Sequence, residues 1–153
     1  MQSTLNSTVL ILDNSITGMT GHQHNPTTGF NLKGDPAAKV NIEELCKSIG
    51  IKRVRVVDPY NMKETEDAIK EELEVAEPSV IIARRPCALL KSVKHKPALK
   101  INKDKCKSCK MCLKIGCPAI SMQDGKAYID YTQCVGCGIC MEMCKFDAIG
   151  GTN

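Results

Sequence analysis

At 153 residues the chain has room for one ordinary domain or two small ones. Its net charge of +4 is modest, and two Phe, three Tyr and no Trp leave few platforms for stacking bases, which argues against nucleic acid as a partner. No stretch approaches the roughly 18 consecutive apolar residues of a membrane span, and Asn6 and Ser7 interrupt any apolar run at the N-terminus, so the expectation is a soluble cytoplasmic protein without secretion signal or membrane attachment.

The front part alternates strand and helix signals. Thr8 to Leu12 (TVLIL) is a short continuous apolar run that predicts a parallel strand buried on both faces. A long Gly-, Thr- and Pro-containing loop follows from Asn14 to Pro36. Asn41 can cap a helix from Ile42 to Ser48, which Gly50 stops. Arg53 to Val57 (RVRVV) predicts a second strand, Lys63 to Val75 a second helix, and Ser79 to Ala83 (SVIIA) a third strand. Strand, helix, strand, helix, strand is the order of a parallel sheet with right-handed crossovers. Three strands and two helices make only part of such a sheet, so the natural unit is expected to be larger, completed by more of a longer chain or by a partner.

The loop after the first strand is where an open α/β sheet binds ligands. It reads Asp13-Asn14-Ser15-Ile16-Thr17-Gly18-Met19-Thr20-Gly21-His22-Gln23. Oxygen donors close in sequence, with small residues that let a diphosphate approach, suit magnesium bound partly through phosphate. The alternative is ordinary turn chemistry.

Eight of the ten cysteines fall into two runs near the C-terminus: Cys106, Cys109, Cys112 and Cys117, then Cys134, Cys137, Cys140 and Cys144. Each has the form C-x2-C-x2-C followed by a fourth cysteine. Three thiolates can then curl around one iron–sulfur cube while the fourth serves the neighbouring one. Zinc sites usually pair two distant C-x2-C motifs and need no third cysteine three residues on. A disulfide framework belongs with secretion, which nothing here signals. Two 4Fe-4S clusters are therefore expected. Crossing over of the fourth ligand assigns Cys106, Cys109, Cys112 and Cys144 to cluster 1, and Cys134, Cys137, Cys140 and Cys117 to cluster 2. The first run has four residues before Cys117, with Ile115-Gly116 suggesting a loosened turn, and the second has Lys145 where proline is common. Neither departure removes a ligand. A unit this small would depend on its inorganic centres for stability.

Charge is unevenly placed. Between Arg84 and Lys114 eleven basic residues face the single acid Asp104, a net of +10 that leaves the rest of the chain at −6. The plain reading is a solvated linker. The sharper one is a patch that steers an acidic redox partner toward the first cluster.

These residues carry a family resemblance over essentially the whole chain. The stretch LDNSITGMTGHQ resembles the cofactor loop of thiamine-diphosphate-dependent 2-oxoacid:ferredoxin oxidoreductases. RRPCALL, followed by the double-cluster tail with its C-x4-C-P-A-I turn, resembles more narrowly the C-terminal part of the alpha subunits of indolepyruvate:ferredoxin oxidoreductases. The resemblance implies a fold in two parts. Residues 1–97 would be the C-terminal part of a thiamine-diphosphate-binding domain, a partial parallel α/β sheet, and residues 98–153 a small α+β two-cluster ferredoxin-type domain. It further implies that Asn14 binds Mg2+ through its side-chain oxygen and Ile16 through its carbonyl. Thr20 and Gly21 would line the diphosphate and thiazolium region, and Asp13 would support the strand end. The family's upstream Gly-Asp element, whose aspartate is another magnesium ligand, has no counterpart in this sequence.

The implied reaction is oxidative decarboxylation of an aryl 2-oxoacid with coenzyme A to an acyl-CoA, carbon dioxide and reduced ferredoxin. A beta subunit and soluble ferredoxin would be partners, and the 153 residues alone would be inactive. The rival from another class is a stand-alone 4Fe-4S electron carrier with a docking domain. His22, Gln23 and His24 could face the reacting centre, although loop histidines are more often structural. Cys46 is read as a buried small hydrophobe and Cys87, just past the third strand, as a structural thiol.

Overall fold

The three apolar runs of the front part become parallel strands, β1 (Thr8–Asp13), β2 (Arg53–Val57) and β3 (Ser79–Arg84), in the order β1-β3-β2. They appear in a computed structural model that describes residues 6–151, so the extreme ends of the two expected domains lie outside the described residues. Two compact units are distinguished, one ending at Val93 and the other beginning at Lys94.

In the first unit helix α1 (Ile42–Ser48) begins at Asn41, whose side-chain oxygen accepts the N–H groups of Glu43 and Glu44, as the sequence suggested. Helix α2 (Met62–Leu73) is capped by Asn61 and stops two residues earlier than expected, at Leu73 with Glu74 as its cap. Cys46 of α1 packs against Val80 and Ile82, while Ala68 of α2 packs against Ile81 and Ala83. Alternate residues of β3 face opposite sides, so the two helices cover opposite faces of the sheet. The connection from β1 to β2 passes over β3, and the one from β2 returns to β3. Reversing direction while keeping a right-handed crossover moves the second helix to the other face.

Among the described residues only β3 has strand neighbours on both edges, and Ser79 to Ala83 are all buried. The expectation that β1 is buried on both faces is corrected: Val9, Leu10 and Leu12 are 51%, 47% and 75% exposed. The cause is position, since an edge strand lacks cover that a central strand receives from both sides. At the opposite end of the strands Glu72 of α2 is 1% exposed and accepts two hydrogen bonds from Arg53, at 2.7 and 3.0 Å. The pairing lets a carboxylate stay charged inside the unit.

The second unit joins β4 (Lys100–Ile101) to β7 (Ile149–Gly150), and β5 (Ile120–Gln123) to β6 (Lys126–Ile129), both antiparallel. Asp124 and Gly125 link β5 to β6 with φ of 50° and 74°, the two left-handed residues of a type I′ hairpin. The shared core gathers Leu99, Ala127, Ile129, Ala148 and Ile149 around Cys106, Cys112 and Cys140. The fold is thus a partial parallel α/β sheet followed by a small unit built on two pairs of short antiparallel strands.

Candidate functional site

The carboxyl ends of β1 and β3 lie side by side, with Asp13 opposite Arg84 in the parallel register. Past the strands the pairing continues: the Asp13 carbonyl accepts from Arg85 N–H at 3.0 Å and the Asn14 carbonyl from Cys87 N–H at 2.9 Å. Arg84 gives Nε to Asp13 at 2.7 Å and both terminal nitrogens to Glu43 of α1, at 2.8 and 2.7 Å. The guanidinium holds the Glu43 carboxyl down at about 2, and the two carboxylates raise Arg84 in return. Asp13 uses its other oxygen to accept from Ser15 N–H at 3.1 Å, and Ser15 sits at φ 60°. The loop therefore leaves the sheet in one tight, ion-paired turn. The pairing of Arg84 with Glu43 was not read from sequence, because residues 41 positions apart carry no local signal.

Asn14 and Ile16 fall within that turn. The Asn14 side-chain oxygen accepts from Ile16 N–H at 3.2 Å, which leaves it a second lone pair. Ile16 is buried, whereas Thr20 and Gly21 lie at an exposed tip closed by an antiparallel bridge between Thr17 and Gln23. The Thr20 hydroxyl donates to Gln23 at 3.0 Å. His22 is exposed at φ 60°, while His24 contacts the Thr28 hydroxyl at 3.2 Å and tilts against Phe30. Cys46 is buried in the core as read; Cys87 is half-buried and holds the loop through its backbone.

In the second unit Cys106, Cys109, Cys112 and Cys144 line one cavity, whose walls include the apolar side chains of Ile101, Met122 and Ile149. Burial pushes the Cys112 thiol up, with the sulfurs of Cys109, Cys144 and Cys106 adding to the rise. Burial likewise pushes Cys140 up to about 11, with Cys137, Cys134 and Cys117 as its thiol neighbours. Among the described residues no three His, Cys, Asp or Glu side chains are gathered as for a single metal ion. The donors that line the cavity are soft thiols in an apolar setting, the chemistry an iron–sulfur cube requires.

Backbone N–H groups serve these sulfurs. Those of Ala127 and Ser108 hold the Cys106 thiol below its ordinary value, assisted by the Lys126 ammonium. Leu99 N–H reaches Cys134 and Ala148 N–H reaches Cys144, each at 3.4 Å. The two runs share a curl. Ser108 and Lys110 have φ of 55° and 61°, and the matching Gly136 and Gly138 have 65° and 90°. Alternating handedness turns successive amides inward, as in an anion nest. After Lys110 comes a single 3-10 turn, Met111–Ile115, closed by left-handed Gly116, which accommodates the extra residue before Cys117.

The Arg84–Lys114 patch needs correction. Arg84 is spent on Asp13 and Glu43, and Arg85 pairs with Asp58 at 2.5 Å while stacking on Tyr60. Both belong to the first unit's own ion pairs, and among the described residues the positive charge of the second unit that enters no ion pair is lysine alone.

The family model described as "Thiamine pyrophosphate enzyme, C-terminal TPP binding domain" matches residues 1–83, more than half of the chain. The chain belongs to the thiamine pyrophosphate enzyme family. This member carries a second match, "4Fe-4S binding domain", over residues 127–150. It is 44% identical over 152 residues to the indolepyruvate oxidoreductase subunit IorA of Pyrococcus abyssi. Identity is 41% to the same subunit of Pyrococcus horikoshii and 41% to that of Thermococcus kodakarensis. Each alignment covers 94% of this chain and 23% of the relative, so this family member spans about a quarter of the length of the curated relatives it matches.

Proposed function

We propose that the chain is the redox-exit end of an indolepyruvate:ferredoxin oxidoreductase alpha subunit, acting on aryl 2-oxoacids with coenzyme A. The observation that carries this is the union, in one chain, of a thiamine pyrophosphate family sheet with two cysteine runs, of which Cys106, Cys109 and Cys112 of the first and Cys144 of the second line one apolar cavity. Similarity to subunits named for indolepyruvate supports the substrate class. Thiamine diphosphate would supply the ylide and hold the carbanion left by decarboxylation, and the clusters would carry electrons singly.

The residues fit these groups. Asn14 would offer its free lone pair and Ile16 its carbonyl to Mg2+, with Thr20 and Gly21 beside the diphosphate. Arg84 positions this loop through Asp13. Cys106, Cys109, Cys112 and Cys144 would hold one 4Fe-4S cluster, and Cys134, Cys137, Cys140 and Cys117 the other. A beta subunit and soluble ferredoxin are the corresponding partners, and the chain works in the cytoplasm.

The test is to express these residues within the full-length subunit, together with its beta partner, under anaerobic conditions. Thiamine diphosphate binding and indolepyruvate-dependent reduction of ferredoxin are expected there, with no turnover by the isolated 153 residues. Failure to bind thiamine diphosphate even beside the partner subunit would favour the stand-alone carrier instead. Turnover by the isolated chain would contradict the division of labour proposed here.

A further inference from the structure

We propose that a lysine-rimmed groove beside the first cysteine quartet is the docking surface for an acidic one-electron carrier protein. The groove has a volume of about 410 Å³ and is lined by Lys100, Ile101, Asn102, Lys105 and Asp147 among others. Ile101 and Ala148 line both this groove and the cavity of Cys106, Cys109, Cys112 and Cys144, so the two adjoin. Lys110 stands on the wall of the quartet cavity, and Lys126 donates to the Cys106 carbonyl at 2.7 Å.

Three further observations separate this face from a merely solvated one. First, none of the ion pairs among the described residues uses a lysine between Lys91 and Lys114, whereas Lys47, Lys63 and Lys70 of the first unit are each paired with a nearby carboxylate. The groove's positive charge is left unspent. Asp147 and the neighbouring Asp104 oppose it and are outnumbered. Second, Cys109 is the one exposed sulfur ligand of the eight; the other seven are buried or half-buried. It lines the quartet cavity together with Lys110. Third, the second run has no such rim: from Tyr131 to Lys145 the charges are Glu142 and Lys145, which cancel.

The partner's class follows from what lines the surface. Neither the groove nor the adjoining cavity has an aromatic residue on its wall, so a single-stranded nucleic acid would find charge there without stacking. A small acidic protein needs only the charge, since electron-transfer encounters are transient and guided by complementary fields. This assignment rests on the two-cluster reading given above, and the experiment separates the two.

The chain is reconstituted anaerobically, its iron and sulfide are measured, and its binding to an acidic 2Fe-2S ferredoxin is followed by calorimetry over a range of ionic strength. The groove variant Lys100→Glu/Lys105→Glu/Lys110→Glu is compared with Lys33→Glu/Lys39→Glu/Lys52→Glu, which makes the same charge change outside the lysine-rich stretch. The groove variant is expected to weaken binding about tenfold or more at low salt and to flatten the salt dependence, with the control within about twofold of the parent. Retained iron, sulfide and paramagnetic spectra show that both variants are folded. Equal losses in both variants, or none in the groove variant, overturn the proposal, as does tighter binding of polyuridylate through the same lysines. A chain that takes up no iron overturns the cluster reading, and the docking role with it.

Discussion

Cys144, from the end of the second cysteine run, lines the same cavity as Cys112 of the first. The relationship groups ligands by space rather than by sequence. Cys144→Ala and Cys109→Ala should therefore produce the same spectral loss, and Cys117→Ala should pair with Cys137→Ala. Iron analysis and paramagnetic resonance of the four variants test this. If Cys144→Ala instead resembled Cys137→Ala, the crossed assignment would be wrong.

The ion pair between Glu43 and Arg84 sets a pH dependence for the first unit. Glu43 titrates at about 2 rather than its ordinary 4.5 because the guanidinium favours the charged form. As acid is added the unfolded chain takes the proton first. The pair's contribution is therefore complete above about 4.5 and disappears as pH falls toward about 2. Both side chains are partly exposed, so Glu43→Gln should cost only about 1 kcal/mol at neutral pH. Amide hydrogen exchange in α1 and β3 should show the gap between parent and variant closing over that acidic window. A gap that widened on acidification would refute the assignment.

Glu72 makes a sterner case. With its carboxylate 1% exposed, removal of Arg53 leaves a buried charge whose nearest remaining cation is Arg55 at 3.8 Å. Arg53→Ala should destabilise the first unit by roughly 2–4 kcal/mol, more than Glu72→Gln, which keeps part of the hydrogen bonding. Urea unfolding followed by far-ultraviolet circular dichroism measures both. Equal midpoints for parent and Arg53→Ala would show that solvent reaches Glu72.

Two neighbouring glycines should behave differently. A Cβ on Gly136 would lie 2.5 Å from the Pro97 carbonyl oxygen and 2.7 Å from that of Lys96. On Gly138 it would meet nothing within 4 Å, leaving only the strain of φ 90°. Gly138→Ala should cost on the order of 1 kcal/mol, whereas Gly136→Ala must displace backbone and should speed cluster loss markedly. Comparing rates of visible bleaching under a chelator distinguishes them, and similar rates would mean that the Lys96–Pro97 segment yields easily.

Much of the fold was legible because its signals are local. The runs TVLIL, RVRVV and SVIIA became strands, and Asn41 capped the helix that it preceded. Lateral order was not legible. All three runs are apolar, and nothing within them says which is central, so the exposure of β1 emerged only from the order β1-β3-β2. Ion pairing across the sheet was hidden for the same reason: Arg84 counted as free charge until its partners Asp13 and Glu43 arrived from distant segments. The β5–β6 hairpin was missed although its signal, Asp124-Gly125 between two short alternating stretches, is local. Cysteine spacing overshadowed it.

The matching curls of the two runs are drawn with different residues, Ser108 and Lys110 in one, Gly136 and Gly138 in the other. Where the second run presses its backbone against Lys96 and Pro97, no side chain can be admitted at 136; the corresponding position of the first run has room for Ser108, whose hydroxyl reaches the Gly125 carbonyl. Sterics therefore decides where this small unit can decorate itself. At this place the first run is free to carry a polar group and the second is kept bare, and a near-symmetric scaffold acquires a front and a back.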